Sequence, residues 1–166
     1  MIMFFKLRNG VKTYYNVLTQ NEIDILIDES TSLLTRISPN HPGLQTNSEF
    51  HIHMMKLGRY DIIDKIHKSV GVGGWIYKCW VNYTDPTMRY SAWHTHMRPE
   101  NPPLRCTSVF YLKGEDRCGT TFRKNNKIYK TKGKIGSVVT IPPDLEHSVP
   151  EDITEPRFSM AIDFAV

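Results

Sequence analysis

The sequence predicts a mainly β domain with helices at its N-terminal end, and three observations predict it. Up to about residue 70 the apolar residues recur at helical steps of three and four. From Trp75 onward they fall in short runs rich in Val, Ile, Tyr, Phe, Trp and Thr, and Gly, Pro and Asn punctuate those runs. Short strands broken by turn residues are the pattern of an all-β sandwich or barrel. With 166 residues and 40% hydrophobic content, the chain suits one domain with a proper core. Within it, 1–74 reads as a helical supporting region and 75–166 as the β core.

The apolar opening Met1-Ile2-Met3-Phe4-Phe5 is cut short by Lys6 and Arg8, too soon for a signal-peptide core. It reads as a first strand or a packed terminus. Thr19-Gln20-Asn21-Glu22 has the Thr-x-x-Glu form of a capping box, in which each side chain satisfies an orphan amide of the first turn. Ile23, Leu26, Ile27, Leu33, Leu34 and Ile37 then share one face, so a helix is expected over 19–37, stopped by Ser38-Pro39-Asn40-His41-Pro42-Gly43. A second helix is expected over 56–69, with Leu57, Tyr60, Ile63 and His67 on one side and Gly71-Val72-Gly73-Gly74 as its breaker. Strands are expected over 75–83, 92–97, 105–112, 120–123, 127–130, 137–141, 147–149 and 157–164.

The formal net charge is +4 and the isoelectric point about 8.9. Basic residues are scattered except for Lys124, Lys127, Lys130, Lys132 and Lys134, which read as a solvated hairpin before they read as an anion-attracting patch. The absence of an aromatic-plus-basic module argues against nucleic acid as a partner. No apolar run reaches the roughly 20 residues that a membrane-spanning helix needs, so no membrane association is expected. Cys79, Cys106 and Cys118 are an odd count without metal-type spacing, which points to reduced thiols in a cytoplasmic setting.

Seven histidines fall at 41, 51, 53, 67, 94, 96 and 147, and two His-x-His pairs occur among them. On a strand, residues i and i+2 share a face with Cα atoms roughly 6.5–7 Å apart, so two imidazoles can converge on one metal. His51 and His53 precede a helix and have no complement downstream; surface or helix-entry histidines are the plain reading. His94 and His96 lie in an expected strand, and His147 enters another after Pro142-Pro143-Asp144-Leu145-Glu146. Alone, His147 would be a satisfied core or surface histidine. Together the three make a three-ligand metal site with open positions, the arrangement a catalytic centre needs.

Arg157 follows His147 by ten positions. In Arg157-Phe158-Ser159-Met160 the polar and apolar residues alternate, so on a strand Arg157 and Ser159 point one way and the bulky side chains the other. An inward guanidinium needs an anion, because an unpaired buried charge is costly. That anion is either a ligand carboxylate, which suits a planar bidentate donor, or a protein carboxylate such as Asp163 or Glu155.

The order of these parts resembles the iron(II)/2-oxoglutarate oxygenases, the prolyl-4-hydroxylase-like branch above all, over about 75–164. The residues that carry the resemblance are His94-Thr95-His96, the Tyr111-Leu112 strand, Gly119-Thr120-Thr121-Phe122, Gly136-Ser137-Val138-Val139 leading to His147, and Arg157-Phe158-Ser159. The resemblance implies a double-stranded β-helix, a jelly-roll or cupin-like barrel. It implies iron(II) on His94, His96 and His147, and 2-oxoglutarate held by Arg157 with hydroxyl help from Tyr111 and Ser159. Tyr83 lies where such enzymes often place a second aromatic hydroxyl near the cosubstrate. The implied reaction decarboxylates 2-oxoglutarate to succinate with dioxygen and hydroxylates a substrate, a peptidyl proline, another protein residue or a small molecule.

One departure from that pattern is His96, which stands where the family usually has a carboxylate. Three-histidine iron is compatible with dioxygen chemistry, as in thiol dioxygenases, and it places one less negative charge on the metal. Glu100, Asp144 and Glu146 are the alternative carboxylate donors. A cupin is the competing reading: His94-Thr95-His96 with Glu100 matches its first motif, and in that case Glu100 is a metal ligand. A catalytically silent protein on the same scaffold is the third.

Overall fold

The structure is a computed structural model, which describes residues 3–6, 10–36, 43–71, 73–88, 92–149 and 152–166. Among these, the strands are β1 (Met3–Lys6), β2 (Lys12–Tyr15), β3 (Thr35–Arg36), β4 (Leu44–Gln45), β5 (Trp75–Thr84), β6 (Leu104–Lys113), β7 (Thr121–Lys124), β8 (Lys127–Lys130), β9 (Val138–Ile141), β10 (His147–Ser148) and β11 (Arg157–Ala165). The helices are α1 (Gln20–Thr31), α2 (Phe50–Lys56) and α3 (Tyr60–Val70). Eight strands form a large sheet in the order β1-β2-β9-β6-β11-β5-β4-β3, and three form a small one in the order β10-β7-β8.

Period-2 alternation on the central strand sorts the molecule into layers. Phe158, Met160, Ile162 and Phe164 of β11 join Phe110 and Leu112 of β6 and Val81 of β5 in the main core, which Ile23, Leu26, Phe50, Met54, Ile62 and Ile66 of the helices close. The other face of β11 carries Arg157, Ser159, Ala161 and Asp163. Register places Thr84, Asn82, Trp80 and Lys78 of β5 beside these four in turn. On the other side Tyr111, Val109 and Thr107 of β6 stand beside Ser159, Ala161 and Asp163. Part of this face is filled by a smaller core of Val109, Tyr111, Phe122, Val139, Ile141 and Leu145. Beyond that core the face is polar, and the site lies there.

Phe110 is fully buried in the main core. Phe110→Ala is expected to cost about 3–5 kcal/mol of stability, the usual loss for emptying such a site, readable as a lower urea midpoint at unchanged slope.

The capping box forms as expected, with Thr19 N donating to Glu22 Oε2 at 2.7 Å and Glu22 N to Thr19 Oγ1 at 3.4 Å. The helix, however, ends at Thr31 instead of running to 37. The Ser30 and Thr31 hydroxyls both bond back to the Ile27 carbonyl, at 2.9 and 2.7 Å, the local competition that weakens a helix end. Leu33 and Leu34 still pack on the core from the turn that follows. Ile37 and residues 38–42 of the expected stop lie outside the described residues.

The helix expected over 56–69 begins only at Tyr60, as α3, because Gly58 at φ +75° separates it from α2, a helix the sequence reading did not expect. Leu57 and Tyr60 of the expected face are exposed, while Ile63 is buried as expected, together with Ile62, Ile66 and Val70. The segment 92–97 is not a strand: it makes one isolated bridge, between His94 and His147. Residues before 75 also do more than support the core, since β1 to β4 supply half of the large sheet.

The lysine-rich stretch holds the β7–β8 hairpin, turned by Asn125 and Asn126 at φ 51° and 59°, and Lys130 pairs with Asp152 at 2.9 Å. The three cysteines are buried and free. No helix among the described residues is long and apolar enough to cross a membrane.

Candidate active site

Three imidazoles meet where the small sheet faces the polar half of the large one. Their donor atoms lie within 4.8 Å of one another in His94, His96 and His147. Ring centroids are 4.3 Å apart for His94 and His147, 5.0 Å for His96 and His147, and 5.4 Å for His94 and His96. Backbone geometry brings them together. His94 N donates to His147 O at 3.1 Å and His147 N to His94 O at 3.0 Å, a reciprocal pair that clamps the loop to β10. His96 N donates to Pro143 O at 2.9 Å, one step further along.

All three Nδ1 atoms are engaged. His94 Nδ1 meets Ala92 O at 3.1 Å, His147 Nδ1 meets Leu145 O at 3.0 Å, and His96 Nδ1 meets Asp163 Oδ1 at 2.6 Å. A carbonyl or carboxylate oxygen can only accept, so each Nδ1 carries the proton and each Nε2 is left with its lone pair. Three imidazole donors this close together are a set that suits iron, zinc, copper or nickel. His94 is exposed while His96 and His147 are buried, so the cluster opens toward solvent on the His94 side.

Burial, and after it the neighbouring His94, depresses His147 to a pKa of about 3. The unfolded chain protonates this imidazole near pH 6.5 and the metal-free fold does not, so the unfolded state binds the extra proton between those values. Stability contributed by neutral His147 is complete above pH 6.5 and is lost as pH falls toward 3. Metal-free protein is expected to lose about 2 kcal/mol from this group between pH 6.5 and 5, and His147→Gln to flatten that slope, as measured by urea unfolding at each pH.

Arg157 is buried at the far end of the same face, with 3% exposure. Its Nε donates to Cys118 O at 3.1 Å and its Nη1 to Ser159 Oγ at 2.8 Å. Both acceptors are neutral, and among the described residues no carboxylate lies within salt-bridge reach of it. Burial lowers the pKa of this guanidinium, the mark of a cation that lacks a full counter-charge. The ion pair with Asp163 that the sequence allowed is not made. The two lie six residues apart on one strand face, about 20 Å of strand, and Asp163 is bound to His96.

The other expected residues separate. Ser159 lines the cavity beside Arg157. Tyr111 sits below it, its ring 5.6 Å from the guanidinium carbon and its hydroxyl held by Thr120 Oγ1 at 2.8 Å and Thr131 Oγ1 at 3.0 Å. The expectation for Tyr83 is corrected: strand alternation turns it to the opposite face of β5, where its ring packs 5.0 Å from Phe158. Asn82 and Thr84 take its place on the cavity wall.

Glu100 is exposed and its nearest ion pair is a 3.9 Å contact with Arg98, so the ligand role that a cupin would give it is not supported. Glu146 forms a bidentate pair with Arg123, at 2.7 and 2.9 Å, and Asp144 is exposed outside the histidine cluster. His51 and His53 lie on α2 away from the cavity. Sequence reasoning missed Asp163, Thr107 and Trp80 as surroundings of His96. The alternation that set Arg157 and Ser159 inward also sets Asp163 inward, and that signal was available.

The histidines, Arg157 and Ser159 line one cavity of about 920 Å³. The helix-backed large sheet faces the small sheet across this cavity, and the fold is the double-stranded β-helix, the fold also found in solved 2-oxoglutarate/iron(II) oxygenases. Among solved structures, the chain is similar to a prolyl-4-hydroxylase from Pseudomonas putida, with TM-score 0.65 and 13% identity over 96% of this chain and 94% of that one. It is similar to the viral collagen prolyl hydroxylase of Paramecium Bursaria Chlorella virus-1, with TM-score 0.61 and 17% identity over 94% and 96%. HygX from Streptomyces hygroscopicus, with nickel and 2-oxoglutarate bound, matches at TM-score 0.69 and 12% identity over 95% of this chain and 83% of that one. No family model matches the sequence, and no curated protein matches it.

Proposed function

We propose that this protein is an iron(II)- and 2-oxoglutarate-dependent dioxygenase that hydroxylates its substrate. One observation carries the reading: a single cavity holds three histidines whose donor atoms converge and a buried arginine that has no carboxylate partner among the described residues. His94, His96 and His147 would hold iron(II), and the open His94 side leaves room for other ligands. Arg157 and Ser159 would bind the distal carboxylate of 2-oxoglutarate, with Tyr111 beneath the guanidinium fixing its plane. Bound iron(II) with the 2-oxo acid and dioxygen supplies the oxidising power for attack on a C–H bond. The protein's share is to orient both substrates and to limit water through the buried walls of His96 and His147.

The cavity exceeds what 2-oxoglutarate fills, and its remaining wall favours a polar substrate, a small molecule or a polar protein residue, over a proline ring. Arg36, Lys78, Arg98, Gln45, Asn47 and Asn101 line it, while among the described residues Trp80 is its one Phe, Tyr or Trp side chain. Free buried thiols support a reducing, cytoplasmic compartment. The test is succinate formation by purified protein supplied with iron(II), 2-oxoglutarate and air, with binding of 2-oxoglutarate measured anaerobically by calorimetry. Metal binding without any affinity for 2-oxoglutarate would favour a catalytically silent metal protein instead.

A further inference from the structure

A buried carboxylate stands directly behind His96. Asp163 Oδ1 accepts from His96 Nδ1 at 2.6 Å and from the Thr107 hydroxyl at 2.7 Å. The side chains of His96 and Asp163 are only 7% and 3% exposed. Lys78 faces Asp163 across the β5–β11 register, yet its Nζ goes to Asn101 Oδ1 at 3.1 Å, so His96 receives the carboxylate undivided by an ion pair. The imidazole is fixed from other sides too. Trp80 stacks on it at 5.6 Å and 22°, and Asn101 Nδ2 donates to its carbonyl at 3.0 Å.

The Nδ1 atoms of His94 and His147 meet backbone carbonyls, whereas that of His96 meets a carboxylate. We infer that Asp163 is a positioning residue that makes His96 the electron-rich ligand of the set and supplies, one residue behind the metal, the negative charge that a ligating carboxylate would have brought. This rests on the metal centre proposed above. The physical basis is general. A carboxylate on the far nitrogen of a ligating imidazole fixes its tautomer and raises its basicity, and losing such a partner costs about 10–100-fold in metal affinity.

Cobalt(II) titration of the full chain, followed by its visible absorption, tests this without turnover. Asp163→Asn keeps an acceptor oxygen at the same place and removes the charge. It is expected to weaken cobalt binding about 10–100-fold in the native background. In a His96→Asp background the same change is expected to tighten binding, because two adjacent buried carboxylates repel and removing one relieves the site. A purely structural role would weaken both.

A change below about threefold in the native background, or weakening in both, overturns the inference. Nitrogen-15 shifts of the unmodified metal-free protein give an independent reading. They are expected to show His96 carrying a proton on Nδ1, and a neutral His96 with its proton on Nε2 and Nδ1 bare overturns the inference even if a variant fails to fold. Absence of cobalt binding by the native protein would remove the metal centre itself, which distinguishes that failure from this one.

Discussion

Arg157→Ala is expected to weaken 2-oxoglutarate binding by about 30-fold to several thousandfold while leaving metal content unchanged. The magnitude follows from truncating one member of a buried, hydrogen-bonded charge pair, which costs about 2–5 kcal/mol. The selectivity follows from the geometry. Arg157 touches Cys118 O, Ser159 Oγ and the Tyr111 ring, and none of these is a partner of the histidines. Arg157→Lys is expected to recover little, because an ammonium is a point charge and cannot reproduce two parallel donors. Anaerobic calorimetry with iron(II)-loaded protein reads the effect. An unchanged dissociation constant would take the guanidinium out of the anion site and leave its burial without a function.

His147→Ala is expected to lower affinity for iron(II) or cobalt(II) by more than about 100-fold, beyond the 10–100-fold that loss of an outer-shell partner costs. Two imidazoles would remain, and one of them, His94, is exposed. The fold should survive, because the bridge that positions the loop is made by the backbone of His94 and His147. Circular dichroism of the variant should therefore match the native protein while its titration does not. Retained affinity would move the metal away from this cluster.

Both effects join residues distant in the chain, Arg157 with Cys118 and His147 with His94, and much of that was legible beforehand. The change from helical to strand texture at Trp75 matches the start of β5, and most of the expected strands appear within a residue or two. Alternation along 157–164 assigned Arg157 and Ser159 to one face and Phe158 and Met160 to the other, and the structure divides them likewise between cavity and core. Helix ends were less legible. The stop at Thr31 and the break at Gly58 come from a hydroxyl pair and one left-handed residue, which an apolar periodicity does not register.

Local periodicity alone was enough for what each strand hides and what it presents, because side-chain direction along a strand is a property of the backbone itself. It therefore yielded the helices before residue 75, the β core after it and the inward pair Arg157 and Ser159. Which inward residues become partners depends on register between strands that are distant in sequence, and no local pattern carries that. Only the folded chain set Asp163 behind His96 and showed that 92–97 reaches His147 through one bridge. Hydrogen-bond partners across strands are decided by how the sheets close around the cavity, after every strand has already chosen its faces.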